Sequence, residues 1–373
     1  MRISTTLIRS RLGKSVLILV VGLGGALAPA EADLIPVTDG NVVKGLSPYN
    51  WVHTPDYLCS TTCGASIHLA FTGTKNVSLN VNTDFINLYA TTYAERYPIM
   101  AWTVNHGAVQ THQLAKKETS FVLAAGVDNP EIDLYIKGMS PLEDRFNGPA
   151  PANSVKITGF TVDKGGATAS VEFPAKIWLN IGDSIMSGDN SEAPPNHGPP
   201  SSNGWAAVGN SRASYGYLLA EHFGYRESRM AWGGYDWGGG LANIPSLVIM
   251  IQNINSMVLR SWDPHPPDVV LINLGENGPP TSDQVTVALT QLRKKIGPTG
   301  KIIVMIPVGG SARAQVTSAF AAYKSSSSDA QAYLVDLGTI HYETADGQHP
   351  TASGHQAIYQ MALPKLEAIL KPN

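Results

Sequence analysis

The sequence contains little cysteine and little charge. Only two of its 373 residues are cysteine, 15% are charged, and the formal net charge is −3. A net charge this close to zero gives no sign of a strongly basic surface that would bind nucleic acid or an anionic membrane, so neither partner is predicted. Apolar residues make up 43% of the chain, which is typical of a globular protein with a sizeable core and argues against overall disorder.

Long apolar runs are also scarce, and the one candidate lies near the start of the chain. Residues 15–27 are apolar and rich in glycine, basic residues precede them, and Ala30-Glu31-Ala32 follows. This order predicts a secretory signal peptide over residues 1–32, cleaved after Ala32. A membrane-anchored helix is the alternative, but the run is short for a span. The mature protein is therefore predicted to be secreted or periplasmic, without a stable membrane span.

The two cysteines, Cys59 and Cys63, are separated by three residues. In an exported protein, so close a pair most simply forms a local disulfide that closes a turn. A metal site would need more ligands than His53 and His68, the histidines nearby, so neither a metal nor another cofactor is predicted. Because no cysteine follows Cys63, a cysteine nucleophile is excluded from the second half of the chain.

Residues 33–174 show short alternating segments and no helical period. Turn residues separate these segments at intervals close to those of sandwich strands, which predicts an all-β sandwich of jelly-roll type. The predicted strands cover residues 76–81, 85–90, 99–104, 120–123, 132–136, 155–160 and 169–173.

The pattern changes at residue 175. Apolar strand-like runs now alternate with helical segments, which predicts a parallel sheet with right-handed crossovers over residues 175–373. In one helical segment, residues 281–296, Thr281 and Gln284 fit a capping box. The strand-like runs cover residues 177–181, 229–232, 269–274, 302–307 and 333–337, and the apolar face of the helix consists of Val285, Leu289, Leu292 and Ile296.

The first of these runs ends in Gly182-Asp183-Ser184. Ligands of an open α/β sheet bind outside the carboxyl ends of the strands, where a serine can act as a nucleophile. Ser184 is therefore a candidate nucleophile, and the alternative is a capping serine in an ordinary strand-to-helix turn.

A serine hydroxyl needs a neighbouring base, and histidine can take and return a proton near neutral pH. His349 is the predicted base, because Asp346 lies three residues before it and can hold one ring nitrogen. His355 lacks a local carboxylate partner and is interpreted as structural. The remaining candidates, His197, His265 and His341, are interpreted as surface residues.

These motifs, in this order, resemble the SGNH or GDSL hydrolase family. The resemblance rests on Gly182-Asp183-Ser184, on Asn277 after the strand over residues 269–274, and on Asp346 with His349; it covers about the last 200 residues. It implies a three-layer, flavodoxin-like α/β domain. It also implies an oxyanion hole formed by the Ser184 backbone N–H, the Gly234 backbone N–H, with Gly233 as the alternative, and the Asn277 side-chain amide. The sequence departs from the family because Gly278 stands where an Asp usually follows the Asn.

A jelly-roll-like domain before such a hydrolase domain resembles two-domain carbohydrate esterases. The resemblance implies an exported esterase that removes O-acetyl groups from an acetylated carbohydrate. Some members of that group work with a Ser–His pair, whereas Asp346 indicates a complete triad here. Four aromatic residues near the predicted loops are candidate sugar platforms, with buried packing as the alternative: Trp205, Trp232, Tyr235 and Trp237.

The loop over residues 189–204 is rich in proline and glycine and is either a specificity wall or a passive connector. Three other functions remain open. The same triad could serve a polysaccharide O-acetyltransferase or a lipid-ester or thioester hydrolase. A noncatalytic polysaccharide-binding protein with a degenerate site is the third, and the intact Ser184, Asp346 and His349 argue against it.

Overall fold

Two antiparallel β-sheets form the first part of the chain, in a computed structural model that describes residues 31–84, 94–198 and 204–371. Residues 1–30 of the predicted signal peptide and the predicted strand over residues 85–90 lie outside the described residues, whereas Ala32, the last residue of the predicted peptide, lies in the first strand. Helix α1 (Gly40–Gly45) follows the first strand. The strands are β1 (Ala32–Pro36), β2 (Val52–His53), β3 (Leu58–Ser60), β4 (Ser66–Thr72), β5 (Val77–Val81), β6 (Ile99–Val104), β7 (Gln110–Gln113), β8 (Ser120–Ala124), β9 (Glu131–Gly138), β10 (Val155–Asp163) and β11 (Ala167–Ala169).

The two sheets enclose a common apolar core. One has the order β2-β3-β10-β5-β8, with β1 also paired to β10, and the other has the order β11-β4-β9-β6-β7. Strand β5 illustrates the predicted alternation, because Val77, Leu79 and Val81 are buried in the core while Ser78 and Asn80 are only partly covered. An N-terminal β domain is therefore confirmed.

The last predicted strand of this domain, residues 169–173, is wrong. Strand β11 ends at Ala169, and the chain then leaves the sheet on its way to Pro174. Phe173 packs against side chains instead of pairing in the sheet: its ring meets the His68 ring edge-on at 5.8 Å, and the Arg226 guanidinium lies 3.8 Å above it.

The predicted disulfide is also wrong, because both cysteines are free and buried. Cys59 lies in β3 and belongs to a small cluster with Val52 and Ile254, whereas Cys63 belongs to the core between the two sheets. The two thiols therefore contribute to different clusters, although they are close in sequence. Burial raises the pKa of Cys59 to about 11 and also raises the pKa of Cys63.

The second part of the chain is built on a parallel sheet flanked by helices. Its strands are β12 (Ile177–Gly182), β13 (Arg226–Ala231), β16 (Val269–Asn273), β17 (Lys301–Met305) and β18 (Ala332–Val335), and a hairpin of β14 (Asn253–Asn255) and β15 (Val258–Leu259) precedes β16. The helices are α2 (Ser184–Ser187), α3 (Trp205–Val208), α4 (Tyr215–His222), α5 (Leu247–Gln252), α6 (Ser282–Ile296), α7 (Arg313–Ser327) and α8 (Ala352–Leu370).

The order of the parallel strands is β13-β12-β16-β17-β18. This order places the first strand of the sheet between the second and the third. The direction in which successive strands are added to the sheet therefore reverses beside β12. The predicted α/β domain is therefore confirmed, and each predicted strand lies within two or three residues of an observed one. No helix in the described ranges is long and apolar enough to cross a membrane.

The two parts pack against each other closely. Arg212 donates two hydrogen bonds to Asp133 of β9, at 2.6 and 2.7 Å, and Lys137 of β9 donates to the Gly209 carbonyl at 2.8 Å. Arg260, near the hairpin, donates to the Tyr49 carbonyl at 2.5 Å. Ala32–Asn373 accordingly forms one compact unit, and the predicted division at residue 175 falls between the end of β11 and the start of β12.

Helix α6 begins as the sequence predicts. Thr281 accepts from the Gln284 backbone at 3.2 Å, and the Gln284 side chain accepts from the Thr281 backbone at 2.8 Å. The four predicted apolar residues are all buried against the sheet.

Helix α6 provides a test of this packing. Leu289 is fully buried, so Leu289→Ala should lower the free energy of unfolding by about 2–5 kcal/mol, through lost burial and the cavity left behind. Val287 lies in the same helix with 46% of its surface exposed, and Val287→Ala should cost less than about 1 kcal/mol. Urea unfolding of both variants measures the difference, and equal losses would contradict the assigned face.

Candidate active site

The loops that carry the candidate residues leave one edge of the parallel sheet. Gly182, the last residue of β12, pairs with Ala231 of β13 on one side and with Asn273 of β16 on the other. The segments that follow these three strands therefore emerge side by side. They contain Ser184, Gly234 and Asn277, the residues that the sequence assigned to the nucleophile and the oxyanion hole.

Ser184 is the first residue of the short helix α2 and is almost completely buried. Asp183 caps this helix, because its side chain accepts a hydrogen bond from the Ile185 backbone at 2.9 Å. The first N–H groups of a helix have no partner within it, so the Ser184 backbone N–H has no acceptor within α2. Asp183, rather than Ser184, therefore caps the start of this helix.

Asp346 and His349 lie on a tight turn before α8. The Ala345 N–H donates to the His349 carbonyl at 2.9 Å, and Gly347 supports the turn with φ of +88°, a conformation that favours glycine. Asp346 Oδ1 accepts from the backbone N–H groups of Gln348 at 3.1 Å and His349 at 2.8 Å. The other carboxylate oxygen is thereby directed at the imidazole.

Ser184, His349 and Asp346 form one hydrogen-bonded chain. The distance from Ser184 Oγ to His349 Nε2 is 2.9 Å, and that from His349 Nδ1 to Asp346 Oδ2 is 2.7 Å. Burial works to raise the pKa of Asp346, but hydrogen bonds from the His349 backbone and ring outweigh it and hold this pKa below its ordinary value. A carboxylate that stays ionised keeps the Nδ1–H tautomer, which leaves Nε2 free to accept the serine proton.

The predicted oxyanion-hole residues lie next to each other. Gly234 has φ of +68°, and a Cβ at this position would lie 2.6 Å from Leu241 Cγ, so a larger residue does not fit. The Asn277 amide nitrogen donates to the Tyr235 carbonyl at 3.0 Å and to Asp183 Oδ2 at 3.3 Å. Asn277 thus connects the loop after β13 to the cap of the nucleophile helix, although Gly278 replaces the usual Asp.

The predicted aromatic platform is wrong for three of its four members. Trp232, Tyr235 and Trp237 are each at most 1% exposed and belong to the core on one face of the sheet, so their rings cannot meet a sugar. Trp205 is half-buried in α3, and its ring meets the His349 ring edge-on at 5.4 Å.

The described part of the predicted loop, residues 189–198, runs along the turn that carries Asp346. The Asn196 N–H donates to the Thr344 carbonyl at 3.1 Å and the Gly198 N–H to the Ala345 carbonyl at 3.0 Å. On the other side of the turn, the Ala352 N–H donates to the Ser191 carbonyl at 2.7 Å. Residues 199–203 lie outside the described residues.

The other histidines have the predicted status. His355 is fully buried in α8, and burial lowers its pKa to about 3, which keeps it neutral. Its Nδ1 accepts from the Tyr215 backbone at 3.4 Å, a structural contact. His197, His265 and His341 are exposed. In the described ranges, no group of three or more His, Cys, Asp or Glu residues could hold a metal ion.

Sequence reasoning missed three buried polar residues around Ser184: Asp183 as a link to Asn277, Asp189 and Asn190. Burial raises the pKa of Asp183 to about 8. The hydrogen bond from the Ile185 backbone lowers this pKa, and the charges of Glu276 and Asp189 raise it. Burial also raises the pKa of Asp189, whose Oδ1 accepts from the Ser187 hydroxyl at 2.8 Å. The Asn190 side chain donates to Asp346 at 2.8 Å. In the sequence, the only sign of these residues is their position within six residues of the candidate serine.

Several solved structures have a fold similar to that of this chain. The chain is similar to a family two carbohydrate esterase from Cellvibrio japonicus, with a TM-score of 0.71 and 16% identity over 91% of this chain and 98% of the other. A family two carbohydrate esterase from Clostridium thermocellum in complex with cellohexaose gives a TM-score of 0.69 and 18% identity over 87% and 99%. An acetyl xylan esterase from the rumen bacterium Butyrivibrio proteoclasticus gives 0.69 and 16% over 92% and 100%.

At these identities, the structural likenesses establish a shared fold. Among curated proteins, none matches this sequence. Residues 179–361 match the family model of the GDSL-like Lipase/Acylhydrolase family, a range that runs from the strand before Ser184 into the helix after His349. The chain therefore carries a domain of the GDSL-like lipase/acylhydrolase family and is, through this domain, a carboxylic ester hydrolase.

Proposed function

We propose that this protein is an exported serine esterase that removes O-acetyl or other short acyl groups from a polysaccharide or oligosaccharide. The observation that carries the proposal is the hydrogen-bonded chain from Ser184 through His349 to Asp346, at the edge of the sheet where ligands of this architecture bind. Export rests on the basic, apolar and small-residue pattern of residues 1–32, and the jelly-roll assignment of the β domain rests on its strand pattern.

In the proposed mechanism, His349 Nε2 takes the Ser184 proton as the serine oxygen attacks the carbonyl carbon of the ester. Collapse of the tetrahedral intermediate leaves the acyl group on Ser184, and the protonated His349 returns the proton to the departing sugar hydroxyl. Water then attacks the acyl carbon with His349 again as the base, the ester bond to Ser184 breaks, and His349 returns the proton to the serine oxygen as the free acid leaves. Asp346 stays ionised throughout, so it holds the imidazole orientation and stabilises the imidazolium.

The developing oxyanion needs donors that are in place before the reaction. We assign them to the backbone N–H groups of Ser184 and Gly234 and to the Asn277 amide. The Asn277 amide makes its shorter bond, 3.0 Å, to the Tyr235 carbonyl, and this bond fixes the side chain. The other amide hydrogen makes only the longer contact, 3.3 Å to Asp183, and we assign this hydrogen to the oxyanion.

The carbohydrate class rests on two supports. The similar solved structures are esterases described as acting on carbohydrate, and one of them holds cellohexaose. Trp205 also lies against the catalytic histidine with part of its ring surface accessible, so a sugar ring that carries the ester can pack on it. Leu241, which is 52% exposed, packs against Gly234, and we propose that it restricts the acyl group to a short one.

The first prediction concerns the nucleophile and the substrate. Ser184→Ala should lower ester hydrolysis by at least about 10³-fold without changing the melting temperature, because the hydroxyl acts in chemistry and not in packing. Ser282 is also the first residue of a helix, α6, and Ser282→Ala is the matched control, with activity unchanged. The assay measures free acetate from an aryl acetate and from a panel of acetylated glycans.

The same assay separates hydrolysis from transfer. With an aryl acetate and excess oligosaccharide, free acetate should be the main product; predominant acetylated oligosaccharide would favour the acyltransferase alternative instead. Full activity of Ser184→Ala would end the serine-esterase proposal. Activity on aryl acetate and on lipid esters, without release of acetate from any glycan, would be consistent with the mechanism but would contradict the carbohydrate substrate class.

The second prediction concerns Trp205. Trp205→Ala should raise KM for an acetylated oligosaccharide about two- to tenfold, the equivalent of about 0.5–1.5 kcal/mol of lost stacking, and leave KM for a small aryl acetate little changed. Trp262 is also partly buried but packs against Tyr49 at 5.1 Å, so Trp262→Ala controls for the general loss of a tryptophan. An equal rise in KM for both substrates would contradict the platform.

The third prediction concerns pH. With its pKa raised to about 8, Asp183 is neutral at pH 7 and ionises as the pH rises through that value. Its negative charge would then lie beside the Asn277 amide and oppose the oxyanion. The rate should therefore fall on a basic limb near pH 8, and Asp183→Asn should remove this limb. Asp283→Asn, at an exposed carboxylate in α6, should leave the pH profile unchanged.

A further inference from the structure

Asn190 lies six residues after Ser184 and is completely buried. Its side-chain Nδ2 donates a hydrogen bond of 2.8 Å to Asp346 Oδ2. The same carboxylate oxygen accepts from His349 Nδ1 at 2.7 Å. One oxygen of Asp346 therefore receives two donors, the imidazole from one side and the Asn190 amide from the other.

The backbone holds Asn190 in this position. The residue has φ of +62°, in the left-handed region, where asparagine is tolerated better than most side chains. Its carbonyl accepts from the Ala193 N–H at 3.0 Å, and the next residue, Ser191, accepts from the Ala352 N–H at 2.7 Å. The segment that carries Asn190 is thereby bound to the start of α8, directly after the turn with Asp346 and His349.

The orientation of the amide follows from its surroundings. Asn190 Oδ1 is buried and has no donor among the described residues, whereas Nδ2 faces a carboxylate. A reversed amide would place its oxygen against the Asp346 carboxylate and lose the hydrogen bond. The amide is therefore fixed as a donor, and it supplies a hydrogen bond to Asp346 without adding a charge near His349.

We propose that Asn190 is a positioning residue of the triad: its amide fixes the Asp346 carboxylate so that Oδ2 faces His349 Nδ1, and the imidazole is thereby held towards Ser184. The segment that begins with Ser184 thus also contains the residue that positions the Asp346 carboxylate. This role rests on the proposed function, because it assumes that Ser184, His349 and Asp346 act together.

Three single variants test the role on an aryl acetate. Asn190→Ala should lower kcat about tenfold, the loss expected for a hydrogen bond to a charged group, with KM unchanged. Asn190→Asp is isosteric, and because two buried carboxyl groups at hydrogen-bond distance cannot both ionise, they should share a proton at neutral pH; the variant then still donates to Asp346 and should keep most of kcat. Asn196→Ala is the control for backbone strain, because Asn196 has φ of +55° but an exposed side chain, and its activity should equal that of the unmodified protein.

A double-mutant cycle separates positioning from general damage. In an Asp346→Asn background, Asn190→Ala should cause little further loss of kcat, since the carboxylate that it positions is already absent. Asp189, the other carboxyl group that interacts with His349, is unchanged in every variant, so a difference in kcat between Asn190→Ala and Asn190→Asp reports on residue 190. Far-UV circular dichroism and melting temperatures establish which variants fold, and if Asn190→Ala does not, the kcat of Asn190→Asp at neutral pH decides.

Two results overturn the role: about a tenfold loss of kcat in Asn190→Asp at neutral pH, or losses from Asn190→Ala and Asp346→Asn that multiply independently. Either result, with Ser184→Ala inactive, would reject Asn190 alone and leave the esterase mechanism standing. Full activity of Ser184→Ala would reject both. Because the substrate is an aryl acetate, the outcome does not depend on which carbohydrate the protein deacetylates.

Discussion

Strand β12 is buried on both faces, and the candidate site depends on this constraint. Ile177, Leu179 and Ile181 belong to the core on one side of the sheet and Trp178 to the core on the other. The one polar side chain inside the strand, Asn180, must then be satisfied internally. It donates to Glu227 of β13 at 2.9 Å; Glu227 in turn accepts from Arg229, which also donates to the Met186 carbonyl in α2 at 3.0 Å. A buried polar chain thus connects the strand to the short helix that begins with Ser184, so that helix cannot shift without breaking it.

The β domain contributes to the same edge of the sheet. Strand β9 ends at Gly138, and Pro141, which follows it, approaches Gly233 so closely that a Cβ on Gly233 would lie 2.5 Å from the proline Cβ. Lys137 of β9 also holds the Gly209 carbonyl, just after the helix with Trp205, and forms an ion pair of 2.7 Å with Glu192. Strand β9 of the β domain therefore supports the loop that carries Gly233 and the segment that follows the helix with Trp205. This explains why the two parts form one compact unit although their sheets have different architectures.

The sequence predicted those features that depend on neighbours along the chain. Strand β12, the capping box of α6 and the Asp346–His349 pair each span few residues, so periodicity and spacing were sufficient to find them. The errors concern contacts across the fold. Trp232 and Trp237 follow a strand end, as ligand-binding residues often do, yet their rings turn into the core. Cys59 and Cys63 are close in sequence but contribute to different clusters. Asn190 has no motif, because its role depends on a partner that is 156 residues away in the chain.

The site contains more carboxyl groups than a triad needs, and their environments shift their pKa values in different directions. Burial raises the pKa of Asp183 to about 8 and also raises the pKa of Asp189, so it opposes the charged form of both groups. At Asp346 burial acts in the same direction, but two backbone N–H groups and the imidazole donate to this carboxyl group, and its pKa falls instead. A neutral Asp183 also avoids opposing the negative charge that develops on the ester oxygen. Hydrogen-bond donors, rather than proximity alone, therefore select Asp346 as the carboxylate that is best able to stabilise a protonated His349.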